Sequence, residues 1–422
     1  MNFNKKKILS IILVSILFGF FLSNNKYKIS SFGKKVLKLS ERSYNYTLKK
    51  IGLVDLERKV DLSTIINEKD DNYKTIKANS FSITYSKVKS FSDRTATILL
   101  EEASNNGVNY EIYTQNGLVI KNNTVSEIKS PSLFYSDTGI KSVFKVKKKY
   151  YAFGGFSTPV CSYASIFNAN SGKIIYKSKC LPDKKNVDFD GLGGAYIKKG
   201  KNIILTVGTP VHSSKIISEL AQSKKSVFGK IISFNEDELL DENVENFNYE
   251  IYSYGHRNPQ GLVFYQNNIF SFEHGPQGGD EFNKIIKNKN YGWPITSFGT
   301  EYGDGQSYTK DLVKSNYEEP IYSYVPSVAT SALNVCPKEL ENYYAPYGCL
   351  MGLSLKEKSI LILILNKDYS RVIISEKIKI GGRLRSFGQN NLGNLFVDSK
   401  GYFYISIDKD GLYKAKFDKF RD

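Results

Sequence analysis

The sequence predicts an all-β protein, a six-bladed β-propeller behind an N-terminal signal or anchor helix and a short stem. Three observations lead there. From about Ile76 the chain is a succession of short alternating strands, among them FSITYSKV, NIILTV, SILILIL and GYFYISID, broken by Asn, Gly and Asp and almost free of helical period. One unit recurs at 142–155, 194–208, 261–275 and 394–408: an apolar strand, a polar turn and a second apolar strand. These units lie roughly one to three blade lengths of about 40–50 residues apart, and about 340 residues supply six blades of four antiparallel strands. Two stacked β-sandwiches account for the recurrence less well.

The elements follow in order. Lys5 to Lys7 form a positive n-region, and Ile8 to Leu22 an apolar run. At fifteen residues (8–22) the run is shorter than the roughly 20 a membrane span needs and suits a signal peptide. Phe20, Phe21 and Leu22 stand where small residues would mark cleavage, so residues 1–22 read equally as a removed signal or an uncleaved anchor. Both readings make the protein extracytoplasmic, periplasmic or secreted, with membrane contact only through its N-terminus. Residues 23–75 are polar and Lys-rich and read as a stem; residues 76–422 are the propeller.

Composition narrows the function. A 41% hydrophobic content and mean hydropathy of −0.34 suit a globular domain, not a polytopic membrane protein. The net charge is +17, yet no long basic run follows residue 7, which argues against nucleic acid as a partner. Cys161, Cys180, Cys336 and Cys349 fall into two sequence-local couples without CxxC or CxxH spacing. That pattern predicts two disulfides in an oxidising compartment rather than a zinc site, and leaves their pairing open.

The stretch from Tyr254 to Trp293 holds two of the three histidines, the sole tryptophan and an arginine in a chain that prefers lysine. Phe264 to Phe272 reads as a hairpin, with GHRNPQG before it and EHGPQGGDE after it at the loop ends of a blade. The succession GHRNPQGL, EHGPQGGDEFN and NYGWP resembles the signature of the soluble glucose/sorbosone and aldose sugar dehydrogenases. Further echoes stand in order at 221–234, 326–333, 352–363 and 381–387, so the resemblance covers about Tyr135 to Phe417. Nothing in the first 75 residues has a counterpart in it.

That resemblance implies a six-bladed propeller, pyrroloquinoline quinone (PQQ) and Ca²⁺, with a small sugar or alcohol as substrate. PQQ is a flat o-quinone with three carboxylates, which calls for cations with directional donors. The resemblance places Arg257 and Asn258 on the quinone, Tyr302 beside it, and Lys356, Arg383 and Arg385 on its carboxylate side. It gives the catalytic Ca²⁺ the carbonyls of Gly275 and Pro276, and a second Ca²⁺ the residues Glu281 and Tyr291. Calcium's taste for hard oxygen ligands, backbone carbonyls included, fits that set. Trp293, His256 and His274 read as structural.

The sequence departs from the family at the base. The family's proton-accepting histidine, in H-x-G-G, is Gly191 here, and the aspartate that orients it is Thr209; a glutamine expected near Asp137 is also absent. Loss of a general base costs about 10²–10⁴ in rate. His212, just beyond Thr209, is a weak substitute. Two readings follow: a PQQ-dependent sugar dehydrogenase with an altered base, or a propeller that binds cofactor or carbohydrate without turnover. The sugar and the electron acceptor are not named by the sequence.

Overall fold

Alternation of apolar and polar residues resolves into twenty-five strands among the described residues, arranged as successive antiparallel meanders. A computed structural model describes residues 73–418 apart from 78–80, 105–106, 123, 132–138, 212–213, 242–246, 303–304 and 309–315. The expected signal or anchor (1–22), the expected stem up to residue 72, Asp137 and His212 lie outside the described residues. Among those described, no helix is long and apolar enough to cross a membrane.

The chain begins with β1 (Lys74–Lys77) and β2 (Ser82–Ser90), followed by β3 (Thr95–Glu102), β4 (Val108–Thr114), β5 (Leu118–Lys121) and β6 (Thr124–Glu127). Four four-stranded sheets come next. They are β7 (Ile140–Val146) to β10 (Ile174–Lys177), with β8 (Lys149–Ser157) and β9 (Ser162–Asn168), then β11 (Gly193–Lys199), β12 (Asn202–Val207), β13 (Lys230–Asn235) and β14 (Glu250–Tyr254). The other two are β15 (Pro259–Tyr265), β16 (Asn268–Glu273), β17 (Asp280–Ile285) and β18 (Tyr322–Tyr324), and β19 (Thr330–Val335), β20 (Gly348–Ser354), β21 (Ser359–Leu365) and β22 (Val372–Lys379). The chain ends with β23 (Leu384–Gln389), β24 (Phe403–Ile407) and β25 (Gly411–Asp418). These join a nine-stranded sheet in the order β1-β2-β25-β24-β23-β3-β4-β5-β6, in which β23 and β3 meet through a short parallel pairing at Gly388–Ile98 and Gln389–Leu99.

The strands β3, β7, β11, β15, β19 and β23 touch one another in that order, and β23 returns to β3. The arrangement is propeller-like. Every residue of β20 and β21 is buried, because a neighbouring sheet covers each face, whereas β22 at the sheet's outer edge is largely open and carries Glu376, Lys377 and Lys379. Charged outer edges oppose edge-to-edge association. The core accordingly lies between sheets. Phe144, Tyr151 and Phe153 pack with Tyr196, Leu205 and Phe234 across one such seam, and Phe272 and Phe282 with Leu350 and Leu363 across another.

The hairpins expected at 142–155, 194–208 and 261–275 are β7–β8, β11–β12 and β15–β16. In the last, Gln266 and Asn267 take positive φ of 46° and 62°, as a two-residue type I′ turn requires. The fourth is a correction: residues 394–398 form no strand, and only the isolated bridges Gln389–Leu395 and Val397–Phe403 accompany β24. The cysteines pair within their couples, Cys161–Cys180 and Cys336–Cys349.

Candidate active site

The ring strands all begin at the same end of the sheets, and what stands at those beginnings forms one cavity. Arg94 immediately precedes β3, Lys141 is the second residue of β7, Asp190 and Gly191 lead into β11, Arg257 and Asn258 into β15, Ala329 into β19 and Arg383 into β23. With Gln260, His274, Tyr302 and Arg385 they line an open space of about 200 Å³. Among the described residues, five cationic side chains face it and one carboxylate, that of Asp190.

Arg257 is fixed from both ends. Its backbone N–H donates to the Glu273 carboxylate, whose other oxygen accepts from His256 Nδ1 at 2.9 Å, and Ser253 Oγ meets His256 Nε2 at 2.8 Å. Ser, His and Glu in that order look like a nucleophilic triad, but Ser253 and His256 are fully buried and Glu273 nearly so, so they serve as support. The guanidinium lies 5.3 Å from the centre of the Trp293 ring and donates through one terminal nitrogen to the His274 carbonyl at 3.3 Å. Its Nε is buried and has no hydrogen-bond partner. An unpartnered donor on a buried cation is costly unless something anionic meets it.

Asn258 is engaged within the protein. Its Oδ1 accepts from Gly193 N at 3.1 Å and Gln260 Nε2 at 2.6 Å, and its Nδ2 donates to the Asp190 carbonyl at 3.2 Å. Arg385 makes a fork to Asp408 through Nε and one terminal nitrogen, at 2.5 and 2.6 Å, and Arg383, half exposed, stands 3.7 Å from the same carboxylate. Lys356 is exposed; Leu355, not Lys356, lines the cavity. Tyr302 reaches back to donate to the Pro276 carbonyl at 2.7 Å. Asp280 pins the Gly275–Asp280 loop by accepting from Gly275 N at 3.0 Å, and its second oxygen takes Ser327 Oγ and Ala329 N, both at 2.6 Å.

Glu281 and Tyr291 stand apart from the cavity, in a small pocket shared with Glu318 and Glu319. Burial, with the charges of Glu273 and Asp280, pushes the Glu281 carboxyl up to about 8 against the help of Asn283. The Tyr291 hydroxyl is occupied, donating to the Lys284 carbonyl at 2.6 Å and accepting from Ile286 N at 2.8 Å. Among the described residues no three or more His, Cys, Asp and Glu cluster as metal ligands.

Gly191, the position at which the sequence resemblance leads one to expect a histidine, lines the cavity, and its surroundings are tight. A Cβ there would lie 2.8 Å from the Thr209 carbonyl oxygen and 3.2 Å from Val211 N. Thr209 is buried, and both its N–H, at 2.7 Å, and its hydroxyl, at 3.0 Å, donate to the Arg257 carbonyl. It thus tethers Arg257 rather than orienting a base. Sequence reasoning missed Arg94, Lys141, Asp190 and Gln260 and set His274 aside as structural. The scarcity of arginine was a usable signal for Arg94; the other three carry none without knowing where the strands begin. Burial is the main cause that brings the Lys141 ammonium down to about 8, opposed by Asp190. Burial and the Arg257 and Arg385 charges hold His274 below the usual imidazole range, against Asp280.

Comparison with known proteins shows sequence relatives and fold neighbours. An uncharacterized protein of Synechocystis is 32% identical over 188 residues, 43% of this chain and 45% of its own. The aldose sugar dehydrogenase YliI of Escherichia coli is 28% identical over 229 residues, 52% of this chain and 56% of the relative. The chain thus spans about half the length of the curated relatives it matches. Among solved structures, the apo soluble aldose sugar dehydrogenase of Escherichia coli matches with a TM-score of 0.61 at 19% identity, over 79% of this chain and 99% of that one. A PQQ-bound aldose sugar dehydrogenase of Streptomyces coelicolor matches with a TM-score of 0.54 at 15% identity, over 79% and 98%. These two likenesses are of fold. A family profile described as Glucose / Sorbosone dehydrogenase matches residues 154–405, more than half of the 422-residue chain. On that match the chain belongs to the glucose/sorbosone dehydrogenase family.

Proposed function

We propose that the chain is a PQQ- and Ca²⁺-dependent sugar dehydrogenase on a six-bladed propeller, the two halves of the nine-stranded sheet counting as separate blades. The observation that carries this reading is the convergence of Arg94, Lys141, Arg257, Arg383 and Arg385, from four different blades, on one cavity with a buried, unpartnered Arg257 Nε. A flat tricarboxylate supplies the acceptor that the Arg257 Nε lacks and adds to those that Asp190 and Asp408 give the other cations, and Arg is the side chain suited to it. The bound quinone would accept hydride from the sugar, with Ca²⁺ polarising one of its carbonyls.

The residues have distinct tasks in this reading. Arg257 and Tyr302 border the quinone, while Asn258 fixes the turn beside it. Arg385, oriented by Asp408, and Arg383 take the carboxylates, with Lys356 at the outer rim. The carbonyls of Gly275 and Pro276 hold the catalytic Ca²⁺; Glu281 and Tyr291 flank a second, where a bound cation would offset the cost of ionising Glu281. Residues 76–422 form the propeller, 23–75 a stem and 1–22 the export signal or anchor. The two disulfides support an oxidising, extracytoplasmic compartment.

A second reading, cofactor binding without turnover, draws on Gly191 and Thr209. One experiment separates them: titrate the purified protein with PQQ in Ca²⁺, then add aldoses and follow dye reduction. Binding followed by reduction supports the dehydrogenase, binding alone the second reading, and no binding removes both. Arg257→Met and Arg385→Met should each weaken PQQ binding about 10–100-fold, as expected for charge-assisted hydrogen bonds of about 1.5–3 kcal/mol.

A further inference from the structure

We propose that Asp190 is the proton acceptor of the sugar oxidation, standing in for the histidine that Gly191 replaces; this rests on the dehydrogenase reading above. Asp190 is the sole carboxylate among the described residues that line the cavity. It immediately precedes Gly191, so the carboxylate enters the cavity from the same turn that would carry the missing base. The turn is anchored from three sides. Asp190 N donates to Asp188 Oδ1 at 2.9 Å, and its carbonyl accepts from Asn258 Nδ2 at 3.2 Å and Gln260 Nε2 at 3.4 Å. A base held on such a turn keeps its position through the reaction, which is what proton transfer within hydrogen-bond reach demands.

The side chain is left available. Its ion pairs, to Arg94 at 3.3 Å and Lys141 at 3.9 Å, both fall on Oδ1. Among the described residues neither ion pair falls on Oδ2, and half of the side chain is exposed. Arg94 and Lys141 also balance the carboxylate's charge, so a tricarboxylate cofactor is tolerated beside it. The other groups are engaged: the Thr209 hydroxyl on the Arg257 carbonyl, the Tyr302 hydroxyl on Pro276, and His274 Nε2 on the Thr330 carbonyl.

In the step itself, the substrate O–H bond breaks and its proton passes to Asp190 Oδ2. With PQQ bound, the carbon-bound hydrogen would leave with its electron pair, as hydride, and the quinone would supply the oxidant. The alcohol carbon becomes a carbonyl and the carboxylate a carboxylic acid.

The test compares wild type with Asp190→Asn and Asp190→Glu. PQQ is first titrated in Ca²⁺ without sugar and followed by protein fluorescence, then the loaded proteins are mixed rapidly with aldose and cofactor reduction is recorded over a single turnover. Asp190→Asn should bind PQQ within about threefold of wild type, since no cofactor-binding cation is removed. Its single-turnover rate should fall about 10²–10⁴-fold, the range for a lost general base, with partial recovery in Asp190→Glu. A rate within about threefold of wild type overturns the assignment. So does a loss of PQQ binding beyond about tenfold, which would make Asp190 a support of the pocket. Wild type that binds PQQ but is not reduced by any aldose overturns this proposal while leaving the cofactor reading intact. Wild type that fails to bind PQQ overturns both.

Discussion

Gly191 shows how a single residue constrains what chemistry can be restored. A Cβ at this position would press on the Thr209 carbonyl oxygen at 2.8 Å, a backbone atom that cannot swing aside. Gly191→Ala should therefore destabilise the fold by about 1–3 kcal/mol, the usual cost of overpacking, measured by denaturant unfolding. An unchanged midpoint would mean that the 209–211 backbone yields freely. A histidine at 191 meets the same obstacle, because its Cβ occupies the same place. Gly191 and Thr209 are thus coupled by contact: Thr209 spends its hydroxyl on the Arg257 carbonyl, and its own carbonyl oxygen crowds the place a Cβ at 191 would take. Arg257, Tyr302, Arg383 and Arg385 could be singled out from the sequence because each sits in a motif with a distinctive residue type. Lys141 and Asp190 could not, being one lysine and one aspartate among many.

At the scale of elements, the legible strands were those whose turns have local chemistry. Gln266 and Asn267 announce a hairpin, and the β15–β16 pairing follows. The segment 394–408 carries the same apolar pattern but folds differently, because Asp398 captures the local backbone. Its carboxylate accepts from Lys400 N at 3.0 Å, Tyr402 N at 2.9 Å and the Tyr404 hydroxyl at 2.9 Å, which favours a turn over a ladder. The disulfides act at this scale too. Cys336–Cys349 joins the end of β19 to β20 across a separation of 13 residues. Replacing both cysteines with alanine should cost about 3 kcal/mol, the chain-entropy value for a loop of about that size. Equilibrium unfolding under non-reducing conditions checks it, and a cost near zero would show that the β19–β20 ladder alone sets the geometry.

For the whole molecule, the decisive pairing joins the two ends of the described chain. β2 lies between β1 and β25, and Ser82 Oγ donates to the Asp418 carbonyl at 3.0 Å across 336 residues. Ile83 is fully buried and packs in the cluster that contains Phe403 and Phe417. Ile83→Ala should lower stability by about 2–5 kcal/mol, as for other large-to-small core changes. Calorimetry should show one transition moving as a unit; loss of only a small separate transition would argue that the ring stays closed without β2. Cavity and closure are connected, because the walls come from strands whose order is fixed only once the circle is complete. Individual motifs could be read along the sequence, but not the circle that aligns their strand beginnings.

The clasp between β2 and β25 has a consequence for biogenesis. On the ribosome the β1–β2 pair waits without its β25 partner while nearly the entire remainder is synthesised, and no intermediate length can complete that pairing. Final locking between β2 and β25 therefore waits until Gly411–Asp418 has been synthesised.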